Sequence, residues 1–136
     1  MVFFTTFIVL AIFGLIDTGY LIYTHNKKKP MVCPLDHDCS KVTESKWSTV
    51  LGVRNEFLGF LFYFGMVCVC LAAILAPSAQ GLFLLLLFMG TGIGVLYSAI
   101  LVGVQFVVIK DYCFYCMISA SITLLLFINS IVLLNK

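Results

Sequence analysis

Apolar and polar positions along this chain fall into long blocks and do not alternate. Four apolar stretches stand out: Val2–Tyr23, Phe57–Ala76, Leu82–Ile109 and Tyr112–Leu134. Each reaches the roughly 20 residues that cross a bilayer as a helix rising about 1.5 Å per residue. The pattern therefore predicts four membrane-spanning helices. The third stretch is long for one crossing, which predicts that it tilts or projects beyond the hydrocarbon. The first does not read as a secretory signal, because it lacks a basic leading region, is too long, and has no small-residue cleavage pattern after it.

The connections are unequal. Ala76-Pro77-Ser78-Ala79-Gln80-Gly81 and Lys110-Asp111 read as tight turns, whereas Thr24 to Glu56 is a 33-residue segment holding nearly all the charge. A segment that long in a small protein is usually functional or disordered. Trp47, Val50, Leu51 and Val53 lie among its polar residues, so it is expected to fold. A short amphipathic helix from about Ser40 to Val50 is expected to rest on the membrane surface. Neither internal repeats nor low-complexity segments interrupt this plan. The whole chain, 1–136, reads as one integral-membrane domain of all-α class.

Composition agrees. Of the 136 residues 62% are hydrophobic and 10% charged, with mean hydropathy +1.15, so much of the surface faces lipid. The net charge of +2 comes with no basic stripe interleaved with aromatics, and nucleic acid is not expected as a partner.

Counting crossings adds a constraint. The long loop follows the first span and Lys110-Asp111 follows the third, so both lie on one side of the membrane. Cys33, Cys39, Cys113 and Cys116 therefore share a face. Seven of the eight Lys/Arg residues share it too, which by the positive-inside rule argues for the cytoplasm. Disulfide chemistry argues for the opposite, oxidising side. The second argument is preferred here, since a folded loop with charges of both signs is a poor subject for the charge rule. The expected location is an active site on the extracytoplasmic face.

Six cysteines in so short a chain invite a redox reading. Cys113-Phe114-Tyr115-Cys116 is a C-x-x-C at the start of a helix, where i, i+3 spacing puts both sulfurs on one face within disulfide reach. Unpaired N–H groups and the positive helix end stabilise a thiolate there. Cys33-Pro34-Leu35-Asp36-His37-Asp38-Cys39 forms a second pair, with Pro34 and two aspartates favouring a turn. Two pairs on one face suggest a relay, one pair exchanging with an outside substrate and the other with a lipid-soluble two-electron acceptor, for which a quinone fits. Blander readings stand beside it: a structural loop disulfide, apolar-lining thiols, or a zinc site drawing on Cys33, His37, Cys39, Cys113 and Cys116. No metal is the expectation, because that spacing is irregular.

At this point the residues resemble a family. Cys33-x5-Cys39, Ser40-Lys41-Val42, Ser45, Trp47, Asn55, Gly59, Tyr63 and Cys113-x-x-Cys116 occur in an order similar to that of the vitamin K epoxide reductase family. Tyr20-Leu21-Ile22-Tyr23-Thr24-His25 at the end of the first span is also similar, and the short C-x5-C is closer to microbial members. The resemblance implies a four-helix bundle around a quinone pocket, capped by the loop. It implies that Cys116 reacts with the quinone, that Cys113 exchanges with Cys39, and that Cys33 opens to a thioredoxin-like protein. It further implies that Ser45 is a hydroxyl near the site and that the Asn55 amide hydrogen-bonds a quinone oxygen, with Gly59, Phe62 and Tyr63 as supporting residues. On the residues alone Ser45 reads as a surface hydroxyl and Asn55 as a helix cap.

Two departures matter. Ala120 stands where vertebrate members have a tyrosine one turn after the C-x-x-C, which puts epoxide chemistry in doubt. The fused thioredoxin domain of many microbial members does not follow, so a separate redox protein is the expected partner. The functional expectation is a thiol:quinone oxidoreductase supporting disulfide formation, with a ubiquinone, menaquinone or vitamin K type quinone. The alternatives are a vitamin K quinone or epoxide reductase using the same relay, and a non-enzymatic zinc-binding or disulfide-stapled membrane module.

Four further features complete the reading. Asp17, inside the first span, is either functional or neutralised by a proton or a neighbouring hydroxyl. Cys68 and Cys70 are expected on different sides of their helix as apolar filler. Gly90-Thr91-Gly92-Ile93-Gly94 reads as close helix packing. Asn55, Gly59, Phe62 and Met66 form one stripe that either lines a quinone cavity or packs against a helix.

Overall fold

The computed structural model describes residues 2–26, 49–50, 53–109 and 114–135. In chain order its elements are α1 (Val2–Asn26), β1 (Thr49–Val50), β2 (Val53–Arg54), α2 (Asn55–Leu75), a 3-10 turn (Pro77–Ala79), α3 (Gln80–Val104) and α4 (Phe114–Leu134). α3 runs on into a π-helical turn, Gln105–Ile109. All four helices are long and apolar enough to cross a membrane. The expected spans hold to within a few residues, with the long third one finished by the wider π turn.

Local chemistry explains the boundaries. Pro77 disfavours helical backbone at the residue before it, and Ala76 leaves the helix at φ −123°, ψ 76°. The Gln80 side-chain amide then donates to the Ala73 carbonyl at 3.2 Å, satisfying one of the orphan acceptors at the end of α2. The tight turn expected at Ala76–Gly81 is thus present, while Lys110-Asp111 lies outside the described residues.

One expectation needs correction. The surface helix expected over Ser40–Val50 does not include its last two residues, because Thr49 and Val50 form an antiparallel ladder with Arg54 and Val53. Three of those four residues are β-branched, and their restricted χ1 favours extended backbone. The rest of that helix falls outside the described residues.

Each helix packs against its sequence neighbours, and α4 closes the ring against α1. The core is built from Phe4, Phe7, Ala11, Tyr63, Cys70, Ala73, Leu87, Ile122, Leu126 and Leu133. Large apolar side chains such as Phe13, Ile16, Phe64, Leu96, Ile100 and Ile128 point outward around the whole bundle. Only lipid covers such a surface cheaply. The protein is a multi-pass membrane bundle.

Small residues and buried hydroxyls lock the helices together. A methyl group on Gly90 would lie 2.8 Å from Met66, and one on Gly94 would lie 2.8 Å from Phe62 and 3.1 Å from Thr123. The Gly90–Gly94 segment is therefore a packing device, as its spacing predicts. Thr91 and Ser130 hydroxyls meet at 3.1 Å, and the Asn129 amide donates to the Phe3 carbonyl at 2.9 Å. Cys70 is fully buried and Cys68 exposed, so the two thiols do lie on different sides of α2.

Candidate active site

Antiparallel succession gathers the end of α1, the start of α2, the end of α3 and the start of α4 at one end of the bundle. Cys116 enters this end in the first turn of α4 and is half-buried. Cys116 thus sits at the positive end of the α4 dipole. Cys33, Cys39, Cys113 and Ser45 lie outside the described residues.

Contacts between the helices fix which residues share Cys116's depth. Tyr20 of α1 packs on Tyr115 of α4 with ring centroids 5.0 Å apart, and at the other end Phe3 is bonded to Asn129. The two helices are therefore antiparallel in a register that sets Asp17, one turn inward of Tyr20, opposite the turn beginning at Cys116. Between α1 and α2, a methyl group on Gly14 would lie 2.5 Å from the Tyr63 ring and one on Gly59 would lie 3.1 Å from Thr18. Gly94 faces both Phe62 and Thr123, so Tyr97, one turn nearer the cysteine-bearing end, is level with Ser119. A single layer thus holds Asp17 from α1, Gly59 to Tyr63 from α2, Tyr97 from α3, and Cys116 to Ser119 from α4.

Tyr63 crosses the interior of this layer. Its ring lies in the space left by Gly14, and its hydroxyl donates to the Ser119 carbonyl at 2.8 Å. The same oxygen is 2.8 Å from Ser119 Oγ and 3.0 Å from Thr123 Oγ1. Ser119 and Thr123 follow Cys116 at i+3 and i+7, one helical face. The hydroxyls therefore continue directly inward from the thiol.

On the other side of the bundle the Tyr97 hydroxyl donates to Asn55 Oδ1 in a short hydrogen bond. Asn55 is the first residue of α2, and its side-chain oxygen is turned to α3. This bond points the carbonyl oxygen at the phenol and so fixes which way the amide NH2 group faces.

The stripe Asn55, Gly59, Phe62 and Met66 divides. Asn55, Phe62 and Met66 face α3, whereas Gly59 faces Thr18 of α1. The stripe therefore makes helix contacts on two sides, with α3 and with α1. Asp17 is only 8% exposed, and its Oδ2 has no hydrogen-bond partner. The adjacent Thr18 hydroxyl donates instead to the Gly14 carbonyl at 2.9 Å. Pairing with that hydroxyl is therefore not how Asp17 is accommodated.

Sequence reasoning did not single out Tyr97, Ser119 or Thr123. A signal existed for the last two, since they repeat the helical spacing from Cys116. Tyr97 offered only a lone hydroxyl in an apolar run. No three His, Cys, Asp or Glu side chains meet among the described residues, and of the cysteines and histidine named for zinc only Cys116 is described.

A half-buried cysteine in the first turn of the last helix, backed by hydroxyls, thus stands at one end of a four-helix membrane bundle. The chain belongs to the vitamin K epoxide reductase family, whose sequence profile matches residues 5–131, nearly its whole length. Proteins of this family are membrane oxidoreductases that act on quinones through a cysteine relay. No curated relative matches the chain.

Proposed function

We propose that the protein is a thiol:quinone oxidoreductase that takes electrons from a separate thioredoxin-like protein and so supports disulfide formation. The partner's dithiol reduces a Cys33–Cys39 disulfide, exchange passes the pair to Cys113–Cys116, and Cys116 delivers it to the quinone, the second substrate. Overall two thiols become one disulfide, and two electrons and two protons convert the quinone to its quinol. Exchange of this kind needs a thiolate, a reachable disulfide and a favourable difference in potential.

The observation that carries this reading is the shared depth of Cys116 and the Asn55–Tyr97 pair. Cys116 supplies the reacting sulfur, and the oriented Asn55 amide supplies a donor for the quinone oxygen on which charge develops. Phe62, packed against Gly94, and Tyr63 flank that space, and Gly59 lets α1 approach. Ser45 is proposed as a further hydroxyl that supports the reaction. The extracytoplasmic face is the proposed side, because the partner's disulfides persist there. Ala120, half-buried on α4, offers no hydroxyl for epoxide chemistry, which favours the quinone itself as substrate.

The test is a Cys116→Ala variant in lipid, given a reduced thioredoxin-like protein and a ubiquinone or menaquinone analogue. Turnover is expected to fall to the uncatalysed rate, with Cys68→Ala unchanged. Undiminished turnover by Cys116→Ala removes the proposal.

A further inference from the structure

Asp17 is the one buried described side chain with an unsatisfied oxygen. Its Oδ2 has neither a donor nor a cation beside it among the described residues, and the residue is more than nine-tenths buried inside a membrane span. A bare carboxylate in such a place costs several kcal/mol, and a membrane helix that keeps one ordinarily uses it (about 2.5–3.5 kcal/mol at mid-span by insertion measurements). Three observations place this acid beside the chemistry. The α1–α4 register sets it level with the turn that begins at Cys116. The ring of Tyr63 fills the space over Gly14, one turn along α1 from Asp17. The Tyr63 hydroxyl in turn touches Ser119 and Thr123, the hydroxyls on Cys116's own face of α4.

We propose that Asp17 is the proton-exchanging group of the site, a neutral carboxylic acid that protonates the quinone oxygen and is recharged by a thiol. The inference rests on the function proposed above. Reduction of a quinone by a dithiol requires two protons to leave sulfur and two to reach oxygen, in a place where water is scarce. As the electron pair leaves sulfur and the S–S bond forms, the Asp17 O–H bond breaks and the quinone oxygen gains that proton. The resulting carboxylate takes up a proton released by the thiol pair. The second thiol proton reaches the other quinone oxygen, so Asp17 ends unchanged and the sum is dithiol plus quinone giving disulfide plus quinol. Tyr63, Ser119 and Thr123 set exchangeable O–H groups just inward of the carboxyl and the sulfur. A positioned proton donor of this kind contributes about 10²–10⁴-fold to a rate.

The first test is Asp17→Asn, which keeps the shape of the neutral acid and removes its proton. Quinone reduction is expected to slow by about 10²-fold or more, with a changed solvent isotope effect. Thiol–disulfide exchange with the thioredoxin-like protein should keep its wild-type rate. Wild-type quinone reduction with an unchanged isotope effect overturns the proposal. Should the variant fail to fold, infrared difference spectra of the wild-type protein with isotope-labelled aspartate decide the matter. A neutral-acid C=O band that shifts when quinone oxidises the reduced protein is expected, and the absence of any such band overturns the assignment. Failure of the parent reading looks different, since Cys116→Ala would then turn over normally whatever Asp17 does.

Discussion

The two ends of the bundle solve the problem of buried polarity differently. At the end remote from Cys116, polar groups are paired and isolated. Asn129 caps the Phe3 carbonyl, Thr91 meets Ser130, and Gln80 closes the end of α2, all around Phe7, Cys70, Leu87 and Leu126. At the cysteine-bearing end polar groups connect across helices through Tyr63 and Tyr97, and one acid is left unsatisfied. The first arrangement holds helices together. The second holds the Cys116 thiol, the Asn55 amide and the Asp17 acid near one depth, the groups to which the proposed function assigns the chemistry. The comparison teaches that polarity in this membrane protein marks chemistry where it is networked and packing where it is paired.

Substitutions break or sharpen that contrast. The largest effect after loss of Cys116 is expected for Asn55→Ala, which removes the donor and should lower quinone turnover by about 10²–10³-fold, with thermal stability nearly unchanged. Steady-state assay beside a melting curve checks this, and intact turnover would place the quinone elsewhere. Gly14→Ala drives a methyl into the Tyr63 ring and should destabilise the bundle by about 1–3 kcal/mol. Gly90→Ala meets only the flexible end of Met66 and should cost less in the same unfolding assay. Tyr97→Phe frees the Asn55 amide to turn. It should reduce kcat by about 3–10-fold, the worth of one ordinary hydrogen bond, and equal loss in Asn55→Ala and the double variant would confirm that Tyr97 acts through Asn55. The smallest effect is expected at the remote end, where Asn129→Ala should cost roughly 0.6 kcal/mol of stability, as single interhelical bonds in membranes do, and leave the rate alone. A rate defect there would dissolve the distinction between the two ends.

Much of the fold was legible because lipid imposes a simple rule on sequence. A helix that crosses hydrocarbon needs a long apolar run, and the four runs match the four helices to within a few residues. Errors fell where water and lipid meet. Thr49 and Val50 were read as the end of a helix by amphipathic spacing, but their β-branched side chains and the pairing with Val53 and Arg54 favoured a strand. Cys116 was singled out because C-x-x-C is a local motif. Tyr97, Ser119 and Tyr63 act through hydrogen bonds spanning 42 and 56 positions of chain, and hydrophobic periodicity carries no trace of such partners. Asp17 was visible as an anomaly, yet its depth relative to Cys116 required the α1–α4 register.

The central claim is that Cys116 passes electrons to a quinone at this end of the bundle. It is tested most directly by mixing fully reduced protein in lipid with one equivalent of quinone, without oxygen, and mapping thiols by mass spectrometry as quinol appears. The account predicts one disulfide per quinol, found first at Cys113–Cys116 and later at Cys33–Cys39. Quinol forming while Cys116 stays reduced throughout would contradict it.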